Sequence, residues 1–285
     1  MKISPKIFTL AAMLAFSHAA FPAQNEKYEL KYQFKEGQTL RYQTERHDST
    51  QIDFGGQNME RSVTIWSRQS LNVHGAEKDG TFSVQVKTDT MWTNQEEGEG
   101  PGTVVFRQGA GPGRGSAERR STARMGGAGR QTPEEYTIDA QGRSVSKDPV
   151  TSQLILPLPE EPVALNESWD FEYTVELRGR AKGRTNVSGQ CLLYSVEKQN
   201  GDEIALIIVT GEARGSREIQ GEAGGVSFSS TSESSGSGTR LVYFNVTQGF
   251  IQEIYGEETE ETASDMRGNV SSIRRKTNST VKRVE

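Results

Sequence analysis

The chain offers few side chains for covalent or metal chemistry: one cysteine, Cys191, and three histidines, His18, His47 and His74. Nucleophilic hydrolysis needs a Ser or Cys beside a base that an acid orients. No Gly-x-Ser-x-Gly elbow occurs, and no histidine lies near Cys191 in sequence. Cys191 sits in the strand-like run Gln190-Cys191-Leu192-Leu193-Tyr194, where packing is its simplest role. A zinc or copper site needs clustered ligands, and neither His47 nor His74 has a second ligand at metal spacing. Asp48 and Asp53 do not form a looped calcium series. Paired carboxylates of a glycosidase can lie far apart in sequence, but the run Glu257-Glu258-Thr259-Glu260-Glu261 reads as a solvated strand end. The expectation is a protein without catalytic, cofactor or metal residues.

A glycine-rich run, Gly109-Ala110-Gly111-Pro112-Gly113-Arg114-Gly115-Ser116, looks superficially like a phosphate loop. It lacks the Gly-Lys-Ser/Thr ending and the strand-to-helix setting that aims amides at phosphate. Arg107, Arg114, Arg119, Arg120, Arg124 and Arg130 face a single acid there, Glu118. Such a segment can hold a polyanion by counterion release, but Phe106 alone supplies an aromatic for stacking. Acidic glycans or lipid headgroups suit it better than nucleic acid, and a solvated linker suits it best.

These groups belong to a chain addressed for export. Lys2 and Lys6 precede an apolar run from Ile7 to Phe16, and Ser17-His18-Ala19 offers small residues for cleavage near Ala19/Ala20. The run is too short for a membrane-spanning helix, and nothing else in the chain qualifies as a transmembrane segment. With the leader go two lysines and no acid, so the net charge falls from −5 to −7, which excludes a generic attraction to nucleic acid or anionic lipid. A lone cysteine fits a bacterial envelope compartment, periplasmic or extracellular, better than a disulfide-paired eukaryotic one. In that setting the Asn-x-Ser/Thr triplets at Asn166, Asn186, Asn245, Asn269 and Asn278 arise by chance rather than as glycan acceptors.

Beyond the leader the hydrophobic period is two. Trp169, Phe171, Tyr173, Val175 and Leu177 alternate with Asp170, Glu172, Thr174 and Glu176, as a strand with one buried face does. Val63, Ile65, Leu71 and Val73, then Phe82, Val84 and Val86, follow the same rule, and Ile204 to Val209 reads as a strand covered on both faces. Lys78-Asp79-Gly80 and Gln199-Asn200-Gly201-Asp202 are hairpin signals. Ser227 to Gly238 reads as a hairpin tip or frayed edge, and Asn269 to Val284 as a last strand whose charges guard an exposed edge. Trp66, beside Ile65, points to the face opposite it, and core packing is the simplest role for Trp66, Trp92 and Trp169.

The pattern repeats. Phe34 to Tyr42 aligns with Leu165 to Tyr173, Glu77 to Gly80 with Glu197 to Gly201, and Tyr136 to Gly142 with Tyr243 to Gly249. Shared order argues for a duplication. The expected organisation is a signal peptide at 1–19, a first β module at 20–156 with a Gly/Arg-rich insertion at 94–133, a proline-rich connector at 157–164, and a second β module at 165–285. The fold class is all-β, with two tandem antiparallel modules forming curved sheets, as a sandwich or half-barrel.

Phe34, Gly37 and Tyr42, then Tyr136, Asp139 and Gly142, then the connector Leu158-Pro159-Glu160-Glu161-Pro162 leading to Trp169, resemble an uncharacterised family of exported bacterial β-repeat proteins. Where that family commonly has a glycine before the tryptophan, this chain has Asn166-Glu167-Ser168. The resemblance implies no activity; it is a domain of unknown function. The expected function is non-catalytic binding of a lipid or other apolar ligand in a β cup lined by Leu40, Tyr42, Trp169, Phe171 and Tyr173. The alternative is a solid-cored structural or interaction module that contacts cell-wall polymer or protein. An outer-membrane barrel is a third reading, against which many strands carry charge on both faces.

Overall fold

The computed structural model describes residues 26–54, 56–97, 133–146, 148–177, 181–223, 226–266 and 269–285. The expected leader and cleavage point, and residues 98–132 of the expected insertion with the six arginines, lie outside the described residues.

The chain is all-β. Its strands are β1 (Lys27–Tyr28), β2 (Thr39–Phe54), β3 (Gln57–Ala76), β4 (Phe82–Glu97), β5 (Glu134–Ile138), β6 (Val163–Ala164), β7 (Ser168–Leu177), β8 (Ala181–Gln199), β9 (Asp202–Ala223), β10 (Val226–Asn245), β11 (Phe250–Met266) and β12 (Asn269–Val284). Ten of them form one antiparallel sheet in the order β5-β4-β3-β2-β12-β11-β10-β9-β8-β7, while β1 and β6 pair separately. The large sheet is thus two meanders, β2 to β5 and β7 to β12, joined where β2 pairs with β12 from Arg41↔Val284 to Phe54↔Ser271. It remains open, with β5 and β7 at its edges.

Local sequence sets the turns. Asn200 (φ 53°) and Gly201 (φ 93°) are both left-handed between β8 and β9, the conformation that Asn-Gly adopts most readily in a two-residue hairpin. The openings of the two meanders share their hydrogen bonds. The Gly37 amide donates to the Val73 carbonyl at 2.9 Å, and the Asn166 amide donates to Leu193 at 2.7 Å. Val73 and Leu193 return the bond to Gln38 and Glu167. Gly37 (φ 76°) therefore corresponds to Asn166 (φ 64°), two residues away from the register that the sequence alignment implies. The next irregularity also recurs, between Val73 and Gly75 in β3 and between Leu193 and Ser195 in β8.

The core occupies one end of the sheet. It gathers Leu40 and Tyr42, Leu71 and Val73, Val84, Leu193, Ile207, Phe244, Ile254 and Val281. Two non-strand segments cover it. Residues 29–38 bring Leu30, Tyr32 and Phe34, and residues 150–163 bring Leu154, Ile155, Leu156, Leu158 and Val163. The proline-rich connector is thus part of the core. Tyr32 and Gln33 run between the turn after β5 and the β10–β11 turn, the Tyr32 amide donating to Ala140 at 2.7 Å and the Gln33 amide to Gly249 at 3.2 Å.

Four expectations change. Ser227 to Gly238 is the body of β10, paired on both sides with β9 and β11. Asn269 to Val284 is a strand, but an interior one between β11 and β2. Residues 94–97 continue β4 rather than opening the insertion. In Ile204 to Val209, Ile207 and Val209 face the core, while Leu206 and Ile208 on the other side are only half-buried.

Candidate functional site

Beyond the core the strands continue as a two-faced layer, and side-chain alternation assigns each residue to the core side or the far side. On the core side, seven of the glycines inside β8 to β11 take their places: Gly183, Gly189, Gly211, Gly215, Gly236, Gly238 and Gly256. Three are in direct register, Gly189↔Gly211 and Gly211↔Gly238. A row without side chains thins the layer and permits close approach. The Phe171 ring fills part of it: a Cβ on Gly189 would lie 2.5 Å from Phe171 Cζ, and one on Gly211 would lie 3.6 Å away.

This row floors a cavity of about 470 Å³, within the size range of small-molecule sites. One wall is apolar: Phe171 and Tyr173 from β7, stacked at 6.3 Å and 23°, with Val187 and Val209 toward the core. The opposite wall is charged. Arg240 Nε donates to Glu258 at 2.8 Å, and Arg275 donates to Glu260 at 3.4 Å. Asp48 accepts from Arg46 Nε at 2.7 Å and from the Thr277 hydroxyl at 2.8 Å. Arg46 belongs to β2, six strands from β7. In a flat sheet that separation would be about 29 Å. The sheet curls enough for both to line one cavity.

The electrostatics follow from burial. Burial pushes the Asp48 carboxyl up, but the hydrogen bonds from Arg46 and Thr277 outweigh it and hold the group below the usual aspartate value. Burial raises the Tyr173 hydroxyl, with Arg240 and Glu258 acting on it in opposite senses. The Arg240–Glu258 and Arg275–Glu260 pairs are about 40 % exposed or more. Pairs this open contribute about 0–1 kcal/mol, so stability does not explain them, and they can exchange partners at little cost.

The five expected lining residues divide. Phe171 and Tyr173 line the cavity. Trp169 is half-buried beside it and donates Nε1 to the Pro157 carbonyl at 2.9 Å. Leu40 and Tyr42 are 2 % and 1 % exposed, sealed in the core. By the hydrogen-bond equivalence above, Leu40 and Tyr42 occupy the places of Trp169 and Phe171. They differ because β2 is interior and β7 is an edge. Trp66 and Trp92 pair directly across β3 and β4, and Trp92 is 41 % exposed, so neither packs in the core. The charged wall was missed, although its signal is present: Arg46 and Asp48 continue the parity of Leu40 and Tyr42, and Arg240 that of Val242 and Phe244. A charge in phase with core positions marks where a core ends.

Cys191 is buried, and burial first, then the Asp170 charge, pushes its thiol up to about 12. His47 lies on the far face with Nδ1 3.1 Å from the Thr64 hydroxyl. Among the described residues no three potential ligands cluster, and no helix is long and apolar enough to cross a membrane.

No family model matches the chain, and no curated protein does. Solved structures with some likeness include three bacterial proteins. OccK2 (OpdF) of Pseudomonas aeruginosa matches at 8 % identity over 88 % of this chain and 99 % of its own, with a TM-score of 0.23. OccK9 (OpdG) of the same organism matches at 7 % over 86 % and 98 %, at 0.25. Ail, the attachment invasion locus protein of Yersinia pestis, matches at 7 % over 88 % and 100 %, at 0.18. Scores this low carry no argument about fold or function.

Proposed function

We infer that the chain is an exported, non-catalytic binding protein of the cell envelope, whose ligand occupies the cavity above the glycine row. The observation that carries this reading is the division of the cavity walls. The stacked Phe171 and Tyr173 face the Arg240–Glu258 and Arg275–Glu260 pairs across an open floor. The fitting ligand is amphipathic, with an apolar or aromatic body against β7 to β9 and a polar head that competes for the ion pairs. A wholly apolar lipid suits the site less well, because the apolar end of the sheet is already filled by its own side chains.

Native mass spectrometry of the purified chain, combined with uptake of an amphipathic fluorescent dye, tests this. Ala213 lines the cavity, and Ala213→Leu fills it. The expected result is bound mass or dye uptake in the wild type, lost in Ala213→Leu with the melting temperature retained. An empty wild type without dye uptake, or uptake unchanged in Ala213→Leu, overturns the reading. The second reading, a structural module, draws on the closed core, and an empty cavity would favour it.

A further inference from the structure

The edge strand β7 is open in an unusual way. Among the described residues it pairs only with β8, and no backbone group of residues 170–174 bonds across its other side. Natural edges are blunted by lysine, proline, bulges or inward charges. β7 has no lysine and no proline, and no register shift interrupts its pairing with β8. Its core-side positions are Trp169, Phe171, Tyr173 and Val175. The opposite edge is treated differently: Ser144 bridges Ile138 of β5, and the Val145 amide donates to Thr137 at 2.8 Å.

Along the free side of β7 runs a cleft of about 450 Å³. Six consecutive β7 residues line it, Trp169 to Thr174, so the edge backbone itself forms one wall. Arg143, Ser144, Ser146, Pro149 and Val150 line the other. We propose that this cleft is a docking slot for an extended peptide segment of a partner protein, which adds to β7 as an eleventh strand.

The chemistry of the occupant follows from the two faces of β7. On the core side an added strand meets Phe171 and Tyr173, so its alternate residues are apolar. On the far side it meets Asp170 and Glu172, which continue into a far-face groove lined by Glu212, Glu257 and one cation, Lys276. Opposite charges across a strand pair stabilise it, and like charges directly opposite destabilise it. The residues between the apolar ones are therefore lysine or arginine. The same rule disfavours a second copy of this chain, because antiparallel β7–β7 pairing sets these acids against each other. Backbone bonds supply affinity and the alternation supplies selectivity, as in other strand additions.

The test uses the whole chain and a labelled peptide of about ten residues alternating valine and lysine. The expected result is saturable binding by fluorescence anisotropy, with slowed amide exchange at residues 170–174. Glu172→Lys should weaken the valine–lysine peptide about tenfold and strengthen a valine–glutamate peptide. A reciprocal switch of this kind cannot come from misfolding. No binding, equal binding of a peptide with the same composition in blocks, indifference to Glu172→Lys, or dimerisation through β7 in place of peptide binding would each overturn the proposal. Phe171 and Tyr173 line both the slot and the cavity, so the reciprocal switch at Glu172, which lines the slot but not the cavity, is what separates failure of this proposal from failure of the cavity reading.

Discussion

Tyr32 and Leu156, 124 residues apart, exchange two hydrogen bonds: the Tyr32 hydroxyl donates to the Leu156 carbonyl at 3.2 Å and accepts from its amide at 2.7 Å. One phenol thus satisfies both backbone groups of a buried residue that lies outside any strand. It fastens the two segments covering the core to each other.

Removing that hydroxyl strands two buried polar groups at once. Tyr32→Phe should cost about 2–6 kcal/mol, since each unsatisfied group costs about 1–3 kcal/mol. Tyr42, equally buried, makes one such bond, to the Ile251 carbonyl at 2.9 Å. Tyr42→Phe should cost about 1 kcal/mol. Urea denaturation of both variants checks the difference, and equal losses would show that the double bond has no special weight.

Thr44 points toward the core between Tyr42 and Arg46, and its buried hydroxyl has no hydrogen-bond partner among the described residues. Thr44→Val removes an uncompensated polar group while keeping the branched shape that strands prefer. The variant should be about 1 kcal/mol more stable in the same urea assay.

Acid sensitivity should centre on Asp48. Its folded-state pKa lies below the ordinary value, so the folded chain holds the carboxylate more firmly than the unfolded chain does. The resulting stabilisation is complete above the unfolded value of about 3.9 and drains away as pH falls through the folded value. Asp48→Asn should therefore lose stability at neutral pH, and its deficit against wild type should shrink below about pH 4. Melts at pH 7, 5 and 3 decide it; a deficit that stays constant would rule out the carboxylate as the cause.

The glycine row predicts an ordered pair of losses. At Gly189 a methyl would collide with the Thr210 carbonyl oxygen and with the Phe171 ring, whereas at Gly211 the nearest atom would be the Ser188 carbonyl oxygen at 3.3 Å. Gly189→Ala should cost about 2–3 kcal/mol and Gly211→Ala under about 1 kcal/mol. Thermal unfolding ranks them, and the reverse order would place Phe171 elsewhere.

Cys191 should be inert. Its thiol is buried and its pKa pushed up to about 12, so almost no thiolate exists near neutrality. Iodoacetamide at pH 8 should leave the folded chain unlabelled and label it fully in concentrated urea, read by intact mass.

Where side chains alternate between oily and wet, the strands could be read directly, as at Trp169 to Leu177. The serine–glycine stretch of β10 could not, because Ser, Thr and Gly carry no hydrophobic period. Its strand character comes from β9 and β11 on either side, neighbours that local sequence does not announce. The interior position of β12 was hidden for the same reason: its lysines and arginines match edge chemistry, yet they pair across strands, as Arg274 does with Glu261 at 2.7 Å and Arg275 with Glu260. Of the cavity, the aromatic wall was legible because Phe171 and Tyr173 sit in a clean alternation. The charged wall was not, since it assembles from β2, β10, β11 and β12, whose adjacency depends on the whole topology.

The pairing of Arg41 with Val284 joins nearly the first strand residue of the sheet to the last. When the chain folds, β2 can zip to β3 as soon as the hairpin is available, but its other flank waits until β12 is in place. Such distant partners make assembly slow and late. A half-made chain carries a bare, sticky flank along β2 throughout its birth, and a truncation of only the last strand would freeze it in that infant state.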